Sequence, residues 1–375
     1  MSTSPSVSIT GTGFFTPSEI ITNDELVAAF NAYVDQWNAE NAAAIEAGEV
    51  EAKPHSSAEF ITKASGIEQR YVLNKSGILD PERMAPYLRE RTWDEPGQMA
   101  EMAMDAADKA LADAGLAAAD VDGIICAASN HERAYPAIAV EVQELLGVEG
   151  FAFDMNVACS SATFGIQAAA DMIRAGSAKR ILMVNPEICS AHLEWRDRDC
   201  HFIFGDVCTA IILERADLTG EGFEIISTRL KTAFSNNIRN DAGFLRRTRD
   251  GHMEDRRDML FQQEGRKVFR EVVPMVSQLM LEHLADNGVS PSELKRLWLH
   301  QANKSMNDLI AKKVLGGEPA KGQQPNILQD YANTSSAGSM IAFSKYSADL
   351  QSGDIGIICS FGAGYSVGSV IVRRR

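Results

Sequence analysis

Short β-branched stretches alternate with alanine-rich helical stretches along most of this chain, and this alternation limits the folds open to it. VDGIICAAS is typical of a buried strand, AIAVEVQELLGV of a helix, and FAFDMNVAC of a second strand that leads into a second helix. Helices between strands favour crossover connections, which place the strands parallel and bury them on both faces. The sequence therefore predicts an α/β fold with a largely parallel sheet.

The same pattern starts again after about residue 217. GFEIISTRL predicts a strand, EGRKVFREVVPMVSQLMLEHLADNG a long amphipathic helix, and LKRLWLHQAN a strand that ends in a polar loop. Because each part carries the same order of elements, we predict two related halves, residues 1–217 and 218–375. Segments 30–54 and 74–96 do not follow the pattern, and we interpret them as insertions rather than core.

The composition excludes several classes of protein. Apolar residues make up 45% and charged residues 23% of the 375 residues, as in an ordinary globular chain with a sizeable core. The net charge of −15 argues against non-specific nucleic-acid binding, which needs a positive field. We expect a cytoplasmic protein with no membrane partner, because the sequence has neither a signal-peptide pattern nor the roughly 20 apolar residues of a membrane span. Arginines concentrate between Phe244 and Arg270, where interspersed acidic residues favour a mixed-charge solvated surface.

The cysteines are expected to be reduced thiols. There are six, too few and too scattered for a disulfide scaffold, and they stand in apolar contexts such as GIICAAS and GIICSFG. A zinc site built from His192, Cys200 and His201 is disfavoured, because two of these residues are adjacent and the chain has no Cys-x-x-Cys pair. We therefore predict no metal.

Three residues that carry chemistry stand at the ends of predicted elements. Cys159 precedes a helix, whose N-terminal partial charge lowers the pKa of a thiol. His300 follows a buried strand, and Asn333 precedes a helix. A cysteine, a histidine and an amide donor form an activated-nucleophile set, and the glycines of SFGAGYSVG allow backbone amides to approach an oxyanion. Taken singly, the three have structural interpretations as a core thiol, a satisfied histidine and a helix cap.

Taken together, these residues resemble the motifs of a known family. FDMNVACSSATFGI, HQAN and NTSSAGSM are similar, in this order, to the cysteine, histidine and asparagine motifs of the ketoacyl synthase III branch of the thiolase superfamily. ITGTGFFTPSEIITNDEL, SGIEQRYV, DRDCHFIFGD and FGAGYSVGSVIVR extend the resemblance over nearly the whole chain. It implies a thiolase-like fold, in which duplicated βαβαβ halves form a layered α/β/α/β/α core. The asparagine is typical of this branch, since elongating ketoacyl synthases have a second histidine and thiolases a second cysteine.

The resemblance implies a decarboxylating Claisen condensation without a cofactor. An acyl thioester, typically acyl-CoA, and malonyl-acyl carrier protein would give a 3-oxoacyl-acyl carrier protein and initiate fatty acid biosynthesis. Cys159 would carry the acyl group, while His300 and Asn333 would donate hydrogen bonds to the malonyl enolate oxygen. The backbone N–H groups of Cys159 and Ala363 would form a second oxyanion hole for the acyl carbonyl.

The resemblance also assigns residues to the substrates. Phe153 and Phe361 would wall the site and exclude water. Phe60 stands where acetyl-primed members have a tryptophan on the pantetheine path, and Arg198 matches an arginine that contacts coenzyme A. Tyr135 lies in a loop similar to the one that closes the acyl pocket, often across a dimer. Together with the serines that follow the nucleophile and the two insertions, these departures indicate a primer other than acetyl, such as a medium-chain acyl group.

Two basic residues are assigned to the carrier protein. Arg270 and Lys304 lie at or near positions that the family uses for docking acyl carrier protein, so that the local arginines would face an acidic partner despite the negative total charge. The donor itself is coenzyme A or a carrier protein. Members of this family are typically homodimers, and we expect the same here.

Three other interpretations are open. A papain-like cysteine hydrolase also uses Cys, His and Asn in this order, but the chain has no Cys-Gly-x-Cys-Trp signature. A non-catalytic thiolase-fold partner is disfavoured because all three residues are present. A synthase-like acyltransferase, or a priming enzyme of a polyketide-type pathway, is the main alternative, since such enzymes keep the cysteine.

Overall fold

In the computed structural model, which describes residues 5–240 and 259–375, strands and helices alternate along the chain. The strands are β1 (Val7–Phe15), β2 (Glu19–Thr22), β3 (Gln69–Val72), β4 (Gly123–Ala127), β5 (Phe151–Met155), β6 (Arg180–Glu187), β7 (Val207–Arg215), β8 (Phe223–Thr232), β9 (Ile238–Arg239), β10 (Gln262–Gln263), β11 (Leu294–Leu299), β12 (Ile355–Gly362) and β13 (Ser366–Arg374). The α-helices are α1 (Asn23–Glu40), α2 (Ala42–Glu46), α3 (Ala58–Ser65), α4 (Gln98–Ala114), α5 (Ile138–Leu146), α6 (Ser161–Arg174), α7 (Gly265–Asp286), α8 (Lys304–Leu315), α9 (Leu328–Tyr331) and α10 (Gly338–Lys345).

Nine of these strands form one mixed sheet, in the order β5-β4-β6-β7-β1-β8-β13-β12-β11. β4 runs parallel to β5 and β6, and β11 runs parallel to β12, whereas the other neighbours are antiparallel. The α/β prediction is confirmed, but the prediction of a largely parallel sheet is wrong. The reason lies in the connections, because β6 leads to β7 and β12 to β13 without an intervening α-helix, and such returns give antiparallel pairs.

The two parts of the sheet repeat one pattern. In β4-β6-β7-β1 the successive pairs are parallel, antiparallel and antiparallel, and β11-β12-β13-β8 shows the same succession. The parts meet at a short pairing of β1 with β8, where Ser8 faces Glu224 and Ile9 faces Phe223. The division between residues 1–217 and 218–375 falls between β7 and β8 and stays a prediction.

Helices cover the sheet closely. α4 lies against β1, and a Cβ at Gly13 would come within 2.3 Å of the carbonyl oxygen of Ala106, so that only glycine allows this approach. α6 is buried along its apolar face and contacts β4, β6, β12 and β13, strands of both parts of the sheet. The start of α6 is therefore fixed in the middle of the molecule. In the described part of the chain, no helix has the length and apolarity that crossing a bilayer requires.

The segments interpreted as insertions contribute to a core. Phe30 and Val34 on α1, together with Ile78 and Met84, are buried in one apolar cluster. The expectation that residues 30–54 and 74–96 lie outside the core is therefore wrong for these side chains. The physical reason is that one face of α1 carries apolar residues at helical spacing, and this face packs inward.

Candidate active site

Cys159 lies in the tight turn between β5 and α6. Ala158 has a φ of +48°, in the left-handed region that a residue with a Cβ rarely adopts. The Ser161 side chain closes the turn, since its hydroxyl accepts from the Val157 N–H at 2.8 Å and donates to the Ala158 carbonyl at 2.7 Å. The half-buried thiol is thereby held next to the N-terminus of a buried helix, as the sequence predicts.

The end of β12 approaches the nucleophile from the other side. A Cβ at Gly362 would lie 2.7 Å from the Cβ of Cys159, so that glycine is required for this contact. The backbone N–H groups of Cys159 and Ala363 both form hydrogen bonds with the sulfur and act to lower its pKa. The two amides assigned to an oxyanion hole thus converge on one atom.

The pKa of Cys159 is nevertheless raised, to about 11. Burial of the thiol is the largest cause, and the negative charge of Glu187 adds to it, whereas Ser335 and the two amides act in the opposite direction. The expectation of a depressed pKa is therefore wrong. Desolvation of a thiolate outweighs the favourable end of the helix, and the free enzyme holds a protonated thiol.

His300 and Asn333 are held rigidly by their neighbours. The His300 N–H donates to the Cys359 carbonyl at 2.7 Å, its ring lies against the edge of Phe361, and burial lowers the pKa of its imidazole to about 4. The Asn333 N–H donates to the Ile203 carbonyl at 2.9 Å. His300 is therefore neutral near pH 7, a form that has one ring N–H to donate.

Ser335 connects all three predicted residues. Its hydroxyl donates to Sγ of Cys159 at 3.3 Å, its N–H donates to Oδ1 of Asn333 at 2.9 Å, and its backbone acts to raise the pKa of the His300 imidazole. With Oδ1 engaged in this way, the Asn333 side chain has its NH₂ end left to donate. The sequence analysis did not single out Ser335, although it lies inside the NTSSAGSM motif.

Cys159, His300 and Asn333 line a common cavity of about 830 Å³. Six phenylalanines contribute to its wall: Phe60, Phe202, Phe204, Phe261, Phe269 and Phe361. Phe60 and Phe361 are thus lining residues, and their roles toward a substrate stay predictions. Phe153 does not line the cavity, and that expectation is wrong. It points to the same side of β5 as Phe151, stacks on it at 6.4 Å, and packs against the core.

The remaining predicted residues lie outside the cavity wall. The Arg198 guanidinium covers the Phe60 ring at 4.1 Å and donates to the His55 carbonyl at 2.7 Å. Tyr135 is 83% exposed, so that it closes no pocket within this single chain. Arg270 and Lys304 are exposed, with Lys304 paired to Asp308 at 2.6 Å. Their roles stay predictions.

Basic residues also stand at the mouth of the cavity. Arg266 and Lys267 line it and are exposed. Residues 241–258, which include the first part of the arginine-rich stretch, lie outside the described residues. Within residues 5–240 and 259–375, no group of three or more His, Cys, Asp or Glu side chains is placed to hold a metal ion.

Comparisons with known proteins bear on the family to which the chain belongs. Residues 153–233 match the family model for 3-oxoacyl-[acyl-carrier-protein] synthase III, and residues 284–374 match the model for its C-terminal part. The chain is 60% identical over 348 residues to the beta-ketodecanoyl-[acyl-carrier-protein] synthase of Pseudomonas aeruginosa, which spans 92% of this chain and 99% of that protein. It is 32% identical over 371 residues to a beta-ketoacyl-[acyl-carrier-protein] synthase III of Granulibacter bethesdensis, with 97% of this chain and 98% of that protein covered.

Solved structures show the same fold. The 3-oxoacyl-[acyl-carrier-protein] synthase III of Aquifex aeolicus superposes with a TM-score of 0.76 at 26% identity, over 98% of this chain and 99% of that one. The priming β-ketosynthase of the R1128 polyketide pathway shares the fold at 21% identity, with a TM-score of 0.77 over 100% of this chain and 98% of that one. The thiolase-like fold is confirmed, and the chain belongs to the β-ketoacyl-acyl carrier protein synthase III family of condensing acyltransferases.

Proposed function

We propose that this enzyme condenses a medium-chain acyl-CoA, octanoyl-CoA in particular, with malonyl-acyl carrier protein. The observation that carries this proposal is the 60% identity to a beta-ketodecanoyl-[acyl-carrier-protein] synthase. A 3-oxodecanoyl product is two carbons longer than its primer, which makes the primer octanoyl. An 830 Å³ cavity with a phenylalanine-rich wall beside Cys159 suits a long apolar chain.

In the first half-reaction the acyl group moves to Cys159. The sulfur bonds to the thioester carbonyl carbon, the bond to the coenzyme A sulfur breaks, and the thiol proton leaves with coenzyme A. The negative charge that develops on the carbonyl oxygen is stabilised by the backbone N–H groups of Cys159 and Ala363. Because the thiol pKa is raised to about 11, the thiol is protonated near pH 7 and has to lose this proton for the transfer.

In the second half-reaction malonyl-acyl carrier protein loses carbon dioxide. The electron pair of the broken carbon–carbon bond forms an enolate, whose oxygen accepts hydrogen bonds from neutral His300 and from the Asn333 NH₂ group. The enolate carbon then attacks the acyl carbonyl, and the Cys159 sulfur leaves and regains a proton. This pair of donors favours condensation over an acyl transfer without decarboxylation.

The carrier protein would dock at the basic rim of the cavity. Arg266 and Lys267 line its mouth, and Arg270 follows them on the same helix, α7. Lys304 begins α8, and Asn303 beside it also lines the cavity. An acidic carrier protein would be steered to this rim by charge.

A second copy of the chain would cover β5. This strand lies at one edge of the nine-stranded sheet, and all five of its residues are half-buried. An uncovered edge with aromatic side chains is a pairing surface for another strand. Tyr135 lies exposed in the loop between β4 and α5, where it would contact the partner. Sedimentation velocity tests the dimer, and a monomer at micromolar concentration would contradict it.

The primer is tested with a series of donors. Acetyl-, butyryl-, octanoyl- and dodecanoyl-CoA, and octanoyl-acyl carrier protein, are each incubated with malonyl-acyl carrier protein, and the products are identified by mass. We expect the highest kcat/KM for octanoyl-CoA, with one carbon dioxide released per product. Exclusive use of acetyl-CoA would overturn the medium-chain proposal, and a product that retains the malonyl carboxylate would indicate the non-decarboxylating alternative.

A further inference from the structure

Glu187 is an ionisable residue in the interior of the molecule. It is the last residue of β6, and its exposure is 0%. It does not line the cavity around Cys159, so that it has no direct contact with a substrate there. Burying a carboxyl group costs free energy unless hydrogen bonds compensate for the lost hydration. A buried glutamate at this position therefore suggests a structural or functional role.

The carboxyl group of Glu187 is held by two serines. Its Oε1 accepts hydrogen bonds from the Ser129 N–H at 2.9 Å and the Ser336 N–H at 3.2 Å, and also from the Ser336 hydroxyl. Its Oε2 accepts from the Ser129 hydroxyl at 2.5 Å. One side chain thus joins the loop after β4 to the segment that carries Asn333.

Both serines lead to the nucleophile. The Ser129 carbonyl accepts from the Asn156 side chain at 2.8 Å, and Oδ1 of Asn156 accepts from the Ala158 N–H at 2.9 Å, one residue before Cys159. On the other side, Ser336 follows Ser335, whose hydroxyl donates to the Cys159 sulfur at 3.3 Å. Two chains of contacts therefore run from Glu187 to Cys159.

Each of these two series of contacts ends at a residue with a strained backbone conformation. Ala158 has a φ of +48° and Ser335 a φ of +49°, and neither is glycine. Such conformations are unfavourable for residues that carry a Cβ and persist only where the surroundings impose them. Glu187 holds a residue adjacent to Ser335 and, through Asn156, the residue Ala158 itself.

We propose that Glu187 is a positioning residue, which keeps the Ala158 and Ser335 turns in register so that Cys159 meets its hydrogen-bond donors. The role depends on hydrogen-bond acceptance rather than on charge. Glutamine offers an oxygen for the three bonds at Oε1, while its NH₂ group would donate to a rotated Ser129 hydroxyl. Alanine removes all of these bonds. The inference rests on the proposed role of Cys159.

The surroundings of Glu187 agree with a role as acceptor. Burial raises the pKa of its carboxyl group to about 7. The charge of Glu187 acts on four titratable groups, all of them thiols: Cys126, Cys159, Cys189 and Cys208. Burial raises the pKa of each thiol, so that all four stay neutral. Besides the serines, the Cys189 thiol donates to Oε2 of Glu187, at 3.9 Å.

The test compares Glu187→Ala with Glu187→Gln. Single-turnover acylation by octanoyl-CoA gives a rate constant that does not depend on the folded fraction of the sample. We expect Glu187→Ala to lower this constant roughly 10–100-fold, as misplaced reacting groups do, with the octanoyl-CoA concentration for half-maximal rate within about twofold of wild type. Glu187→Gln should restore the constant to within about threefold of wild type.

A second pair of measurements keeps the proposal testable if Glu187→Ala does not fold. The double variant Ser129→Ala/Ser336→Ala leaves the carboxyl group in place but removes both hydroxyl donors, and we expect it to slow acylation in the same direction. Alkylation of Cys159 by iodoacetamide, followed by peptide mass, needs no substrate. Below about pH 7, where Glu187 is largely uncharged, it should be slowed by the same variants. Wild-type acylation and alkylation in folded Glu187→Ala, or no rescue by glutamine, would overturn the inference. Failure of the proposed function itself would instead show as no acylation in any variant, with alkylation still altered.

Discussion

The hydroxyl of Ser335 donates a hydrogen bond to Sγ of Cys159 over 3.3 Å, which joins the asparagine motif to the cysteine motif. The same residue donates its N–H to Oδ1 of Asn333, and its backbone acts to raise the pKa of the His300 imidazole. Ser335 therefore contacts both Cys159, which acts in the first half-reaction, and Asn333, which acts in the second. A substitution at Ser335 is expected to affect both half-reactions.

Removing the Ser335 hydroxyl should slow acylation. The bond lowers the thiol pKa, and a hydrogen bond of this kind contributes about 0.5–1.5 kcal/mol, so that Ser335→Ala should reduce the single-turnover acylation rate roughly 2–10-fold. Ser177→Ala, an exposed serine beyond the far end of α6, is the matched control. An acylation rate equal to that of the control would show that the hydroxyl has no part in activating the thiol.

The Asn333 amide should act in the second half-reaction alone. Loss of one oxyanion donor typically lowers the rate by about 10²–10³, so that Asn333→Ala should release carbon dioxide from malonyl-acyl carrier protein that much more slowly. Acylation of Cys159 by octanoyl-CoA should stay within about threefold of wild type. Carbon dioxide release and acyl-enzyme mass are measured on the same preparation. Equal losses in both steps would contradict the assignment.

The raised pKa of Cys159 gives a distinct pH dependence. With a pKa of about 11, the thiolate fraction and the iodoacetamide reaction rate should still be rising at about pH 10, without a plateau near pH 8. Glu187 ionises near pH 7, and its charge raises the thiol pKa. Above that pH, Glu187→Gln should therefore react faster than wild type. His300, with a pKa of about 4, adds no inflection above about pH 5. A plateau at neutral pH would mean that the thiol is already ionised in the free enzyme.

Charge reversal at the rim should affect the carrier protein and not the acyl donor. Arg270 is 75% exposed on α7, close to the cavity mouth formed by Arg266 and Lys267. We expect Arg270→Glu to raise the KM for malonyl-acyl carrier protein about tenfold, with the KM for octanoyl-CoA unchanged, because long-range charge steers association. Lys179→Glu, at the opposite end of β6 from Glu187, is the control. An unchanged carrier KM would remove Arg270 from the docking surface.

The sequence predicts those parts of the site that depend on local pattern. Cys159, His300 and Asn333 each stand at an element end, and the order of their motifs is enough to expect that they meet. Glu187 and Ser335 act through contacts between distant segments, and nothing in their local sequence specifies those partners. An acid inside the apolar stretch RILMVNPEI is the one signal that marks Glu187.

The wrong predictions have local physical causes. The sheet is less parallel than expected because two returns lack a helix, and loops of that kind carry no strong sequence signal. Phe153 faces the core because side chains alternate along a strand, and the face that β5 buries follows from its neighbours. The thiol pKa rises because desolvation depends on burial, which a helix position alone does not show.

The central claim is that Cys159 accepts a medium-chain acyl group. The most direct measurement is the mass of the intact protein after incubation with octanoyl-CoA, followed by peptide mapping. Wild type and Cys200→Ala, which removes another thiol at the same cavity, should each gain one octanoyl group on the Cys159 peptide. Cys159→Ala should gain none and lose turnover. An octanoyl group on another residue, or full turnover by Cys159→Ala, would contradict the account.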